Sequence, residues 1–297
     1  MHAATLDWLT DQILDALARG ERVRPPALLF LLRRFAADAG AGIAEPLGAA
    51  LARELDLQAR QGCGGESAEW LGVFSEAASI SDDPRLPRAA ADLLTAVRSS
   101  WGASIRLKPD PTEEPDPTDQ VMRTDQVMRA VEACLISVNV PEARELAAEA
   151  IDALERGVAG AYRPGEGMSH QIGGASFVRG GLSDQVGSAS TLLTAYMLTA
   201  RLPYAMLADE LMQRVIHTPS EERDVPFALT CEVARVFCRL GALHHDDEYR
   251  RTAVLAVDTD YVQEATRTLD ALEPSVRKRG VEAAPFGLAL AEWLKLT

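Results

Sequence analysis

Between Ala161 and Gln185 the chain gathers Tyr162, Arg163, Glu166, His170, Gln171, Arg179, Asp184 and Gln185, with glycines at 165, 167, 173, 174, 180 and 181. Glycines let backbone approach backbone or ligand closely. A histidine, an arginine and a carboxylate in one loop suit a polar or anionic small molecule. His170 is the group able to exchange a proton near neutral pH. A local reading competes: "GGLSDQ" opens a helix, with Ser183 as N-cap and Asp184 favouring the positive helix end, an effect worth about 0.3–1 kcal/mol. Capping alone does not need so many polar residues and glycines, so the loop leans toward function.

Other residues are weighed against it. Glu232 stands inside the apolar run "PFALTCEVARVFCRL", and a carboxylate amid buried positions must be paired or shifted in pKa. It is expected to face a cavity. Glu69 and Glu76 are seven apart beside Trp70, a pairing relevant to glycoside hydrolysis only if partners meet them, and otherwise a solvated helix face. "HHDDE" at 244–248 invites a metal, but adjacent histidines point apart and the acids suit a helix start, so no metal site is expected. No GxSxG, P-loop or GxGxxG in a βαβ unit occurs, and no cofactor is expected.

The elements that position these residues read as helices almost throughout. Helical periodicity covers 3–19, 27–38, 43–60, 67–80, 84–101, 119–138, 141–158, 183–200, 203–217, 226–243, 246–279 (broken near Asp258) and 284–296. Val186, Ala189, Leu193, Tyr196, Met197 and Ala200 form one apolar face of 183–200, while Leu192 and Leu198 fall outside it, so that helix packs among several neighbours. By contrast, 141–158 carries a broad charged face. Relatively buried helices thus alternate with amphipathic ones. Pro84, Pro141 and Pro203 sit near helix starts after short connections, which predicts antiparallel pairs. About six such hairpins suggest an all-α protein, an α/α toroid, as one domain over 1–297. The strand candidate is "MSHQIGGASFVRGG", a hairpin turning at Gly173-Gly174.

One segment breaks the rhythm. "RLKPDPTEEPDPTDQ", 106–120, is rich in proline and acid and cannot pack. Its part at 106–118 is expected to be a loop between two half-rings. A literal repeat, "TDQVMRTDQVMR", follows; six is not a helical period, so the copies face different sides, and the expected role is a solvated helix end.

Composition excludes several classes. The 297 residues are 47% hydrophobic and 25% charged, with net charge −14. No basic stripe marks a nucleic-acid binder, and the acidic balance disfavours anionic membranes. Arg33 and Arg34 read as a solvated edge. No apolar stretch approaches about 18 residues. Cys63, Cys134, Cys231 and Cys238 show no CxxC spacing. A helix would place Cys231 and Cys238 roughly 10 Å apart, too far for a disulfide. Buried thiols in a reducing cytoplasm are the expectation, and "MHAATLDWLTDQILDAL" reads as an amphipathic helix rather than a signal peptide.

Several stretches together resemble a known family. "AYRPGEGMSHQIGG" followed by "RGGLSDQVGSASTLLTAYMLT" is similar to a loop and inner helix in the C-terminal helical toroid of the YyaL and spermatogenesis-associated protein 20 family, the thioredoxin-domain (DUF255) proteins. "LPYAMLADELMQRV", "EYRRTA", "ATRTLDALEPSVRKRG", "AAPFGLALAEWL" and "RPPALLFLLRRFA" resemble further parts of that toroid. The family's thioredoxin-like domain has no counterpart here, and its Gly- and His-rich segment in the first half is missing. The resemblance implies a six-hairpin glycosidase-like fold; fold alone does not carry function across. The reading that follows is a carbohydrate or small acidic metabolite bound in a central cavity by His170, Arg179, Asp184, Gln185 and Glu232. The alternative is a non-catalytic scaffold that binds a protein partner.

Overall fold

The computed structural model describes residues 2–38, 42–61, 66–102, 122–172, 178–217, 224–253 and 259–297. Within them the helices are α1 (His2–Ala18), α2 (Pro25–Ala37), α3 (Ala44–Gln61), α4 (Ser67–Ile80), α5 (Arg85–Gly102), α6 (Thr124–Ile136), α7 (Pro141–Ala161), α8 (Leu182–Thr199), α9 (Leu202–His217), α10 (Phe227–His245), α11 (Asp247–Thr252), α12 (Tyr261–Arg279) and α13 (Ala284–Trp293). Four two-residue strands accompany them: β1 (Met122–Arg123), β2 (Tyr162–Arg163), β3 (Gly167–Met168) and β4 (Gln171–Ile172). The all-α class expected from the periodicity is the class observed. Most boundaries fall within two residues of those read from the sequence. The expected loop at 106–118, the Gly173-Gly174 turn, Cys63 and Asp258 lie outside the described residues.

The chain divides into two compact units. One comprises 1–90, 224–249 and 258–297; the other comprises 91–223 and 250–257.

In the first unit α4, α2, α13 and α10 are linked in that order, each packing on the next. Paired contacts give their direction. Arg24 meets Glu66 at the starts of α2 and α4, and Arg33 meets Glu76 toward their ends. Arg33 also reaches Glu292 near the end of α13, while Phe30 abuts Gly287 earlier in it. Arg235 meets the same Glu292, and Gly241 lies against Leu296. These four helices therefore run parallel. α1, α3 and α12 pack around them as the returning elements. The core is aliphatic with a few aromatics, including Leu9, Ile13, Leu28, Phe30, Leu31, Phe74 and Phe286.

The second unit repeats that logic with α6 and α8. Asp125 and Asp184 meet at their starts, and Glu132 meets Thr194 farther along. The two helices run parallel, with α7 as the return between them and α9 packed on α8. Pro141 opens α7 where its missing N–H costs least. Eleven of the eighteen α8 residues are buried, including Leu192 off the predicted stripe, as a helix among several neighbours requires. Met197, assigned to the apolar face, is instead 72% exposed, because it lies in the last turn before the left-handed residue Ala200 ends the helix. Three buried hydroxyls of α8 are satisfied by α6: Ser190 and Thr194 both donate to Glu132, and Thr191 donates to the Met128 carbonyl.

Candidate functional site

The residues ahead of α8 form a small antiparallel ribbon. Its middle strand runs through Gly167, Met168, Ser169, His170, Gln171 and Ile172. Tyr162–Arg163 pairs with Gly167–Met168, and Met122–Arg123 pairs with Gln171–Ile172. On the other edge the His170 N–H donates to the Val178 carbonyl (2.8 Å) and the Gly180 N–H donates to the Met168 carbonyl (2.9 Å). The arms of the expected hairpin are thus in place. The pairing of Met122–Arg123 was not expected. It explains why α6 begins at Thr124 rather than near 119: the two residues before Thr124 are extended in a ladder.

Asp184 is completely buried. Its Oδ1 accepts the Asp125 N–H (3.1 Å), and its Oδ2 accepts the Gly181 N–H (2.9 Å). The same Oδ2 lies 3.0 Å from His170 Nδ1. Burial pushes the Asp184 carboxyl above its ordinary pKa; His170 and the Asp125 N–H pull the other way. With the carboxylate ionised, the imidazole donates Nδ1–H and keeps its Nε2 lone pair as a proton acceptor. The His170 side chain is 37% exposed, so this basic nitrogen belongs to a half-open ring on a sealed carboxylate.

Gln185 has a different job. Its Oε1 accepts the Met168 N–H (2.9 Å) and its Nε2 donates to the Met168 carbonyl (2.8 Å), so the carboxamide pairs with Met168 as a neighbouring strand would. The glycines around it are tight. A Cβ on Gly167 would lie 2.6 Å from Gln185 Oε1, and one on Gly180 would lie 2.6 Å from the Met168 carbonyl oxygen and 2.8 Å from Asp184 Cβ. The N-cap is Gly181, not Ser183, because the Asp184 side chain three residues on takes the Gly181 N–H. The acid holds the histidine; the amide holds the strand that carries it.

Arg179 is exposed and bridges backbone-to-backbone with Ser169, not His170. Side chains alternate along a strand, so Arg179 stands on the ribbon face opposite His170. Glu232 belongs to the first unit and ion-pairs with Arg235 at 2.9 Å. His170, Asp184 and Gln185 therefore come together, Arg179 shares their ribbon, and Glu232 belongs to a different network. Tyr162 donates to Glu210, and burial followed by that carboxylate raises the phenol to about 12.

The remaining candidates have structural partners. Glu76 accepts from Arg33, which also holds Glu292, so Arg33 is an interhelical link rather than a solvated edge. The His244 ring packs 4.9 Å from Tyr261, and Asp246 caps the Tyr249 N–H (2.8 Å). No group of three metal-ligating side chains is assembled among the described residues. Burial raises the Cys134 thiol to about 11 and the Cys231 and Cys238 thiols to about 12, which removes them as nucleophiles.

Two residues of this site escaped the sequence reading: Thr124 and Asp125. They open the second TDQVMR copy. A Thr-Asp pair ahead of an apolar period is a helix-start signal that could have found them.

No protein-family model and no curated protein sequence matches the chain. Among solved structures it is similar to cellobiose 2-epimerase from Spirochaeta thermophila DSM 6192, with a TM-score of 0.47 and 14% identity over 78% of this chain and 72% of that one. A likeness of that degree carries no argument about site or reaction. No helix among the described residues is long and apolar enough to cross a membrane.

Proposed function

We propose that this helical-hairpin protein, of the α/α-toroid class that its resemblance to the YyaL-type toroid implies, binds a carbohydrate or similar small polar metabolite at the ribbon ahead of α8. His170 is the group that exchanges a proton with the ligand. The observation that supports this is the half-open His170 ring held at 3.0 Å by a completely buried Asp184. A carboxylate behind an imidazole holds the ring in one orientation and one tautomer, with Nδ1–H on the carboxylate and the Nε2 lone pair as the acceptor. Asp184 and Gln185 serve as holders of His170.

The test is a thermal-shift screen against monosaccharides, oligosaccharides and sugar acids. A ligand at a hundred times its Kd stabilises the folded protein by about 2.7 kcal/mol. The expected result is a sugar-dependent rise in Tm that His170→Gln abolishes. The absence of a shift with every sugar, in a folded protein, overturns the reading and favours the scaffold that binds a protein.

A further inference from the structure

Thr124 and Asp125, in the first turn of α6, sit at the centre of this arrangement. Thr124 is completely buried. Its hydroxyl donates to the Ser169 carbonyl (2.7 Å), and its N–H donates to the His170 carbonyl (3.0 Å). The next N–H, that of Asp125, donates to Asp184 Oδ1. Three successive donors from two residues thus fix three points: the carbonyl before His170, the carbonyl of His170, and the carboxylate behind its ring.

Helix chemistry makes this placement unusual. The first N–H groups of a helix have no partner within it and are normally satisfied by a local side chain or water. The N-cap of α6 is Arg123, whose side chain makes no capping bond. It instead grips the Asp125 carboxylate at 3.0 Å. The Thr124 hydroxyl, at the first helical position, reaches the Ser169 backbone forty-five residues away. The start of α6 is thus satisfied by the strand that carries His170 rather than by a local cap. The positive helix end also bears on Asp184 and favours its anionic form against the burial that opposes it.

We infer that Thr124, acting with the Asp125 N–H, is a positioning residue that holds His170 and Asp184 in the register where Nδ1–H faces the carboxylate and Nε2 faces outward. The inference rests on the assignment of His170 as the proton-exchanging group. Thr124 touches neither the imidazole nor a ligand; it acts through the Ser169–His170 backbone.

The experiment reads the imidazole itself. In protein labelled with ¹⁵N at histidine, long-range ¹H–¹⁵N spectra at a pH where His170 is neutral report which ring nitrogen carries the proton. The wild type is expected to hold the Nδ1–H form. Thr124→Val keeps the backbone N–H and the side-chain shape but loses the hydroxyl, and should lower the Nδ1–H to Nε2–H ratio about three- to tenfold, the worth of one hydrogen bond. Thr124→Ser should restore it. If Thr124→Val does not fold, Thr124→Cys, with its weaker donor, carries the same comparison. A Thr124→Val protein with lowered Tm and an unchanged tautomer ratio overturns the inference, as does a wild type in the Nε2–H form. The readout needs no ligand, so a failed sugar screen and a failed tautomer test are separable results.

Discussion

The two units treat charge in opposite ways. In the first, five charged side chains from four parallel helices pair with one another: Glu76 with Arg33, Arg33 and Arg235 with Glu292, and Arg235 with Glu232. Glu292 Oε1 alone receives N–H groups from both arginines. In the second unit Asp184 takes two backbone N–H groups and one imidazole. The first arrangement cancels charge between flexible side chains that reach partly into solvent. The second ties a carboxylate to groups that cannot move. A guanidinium that loses its partner can turn to water, whereas a buried backbone N–H cannot. The difference separates a seam that joins helices from a mount that aims one ring.

That contrast can be broken by experiment. Asp184→Ala should have the largest effect, a loss of about 3 kcal/mol in chemical denaturation, because two buried N–H groups are left without an acceptor. Glu292→Ala should cost about 1 kcal/mol, since its arginines keep Glu76 and Glu232 and are partly exposed. Equal losses for the two variants would erase the distinction drawn between the units. The smallest effect is one of pH. Burial raises the Asp184 pKa in the folded state, so the folded protein holds that proton more tightly than the unfolded chain does. Stability from this group is fully present below the ordinary carboxylate pKa and is lost as pH rises through the raised value. Tm measured against pH should show the wild type losing ground relative to Asp184→Asn as pH increases from about 4. A wild type that gained on the variant would reverse the sign and show that the N–H groups outweigh burial.

How much of this could be read from the sequence differs between scaffold and site. The helices were legible because their apolar residues recur at helical spacing and because Pro84, Pro141 and Pro203 mark starts after short turns. Asp184 was legible as a helix-start acid, since its contact with Gly181 is local. Its contact with Asp125 was not, because it joins residues 59 positions apart. Arg179 shows a second limit. It is close to His170 along the hairpin, but strand register puts it on the other face, and composition carries no register. Glu232 shows a third. The apolar run around it implied burial, yet its side chain is 32% exposed and Arg235, one helical turn on, supplies its partner.

The pairing of Met122–Arg123 with Gln171–Ile172 also bears on the duplicated hexapeptide. Thr118-Asp119 repeats Thr124-Asp125, so the chain holds two copies of the pair that grips the ribbon, and a slip of six residues would exchange them without changing a letter of the clamp. The residues in front decide between the copies. After such a slip, Asp116-Pro117 would stand opposite Gln171–Ile172 in place of Met122–Arg123. Arg123 holds the Asp125 carboxylate at 3.0 Å, and a proline in its place has no guanidinium with which to do so. The copy that follows Met122–Arg123 thus carries an anchor for its own first acid, which the copy that follows Asp116-Pro117 lacks.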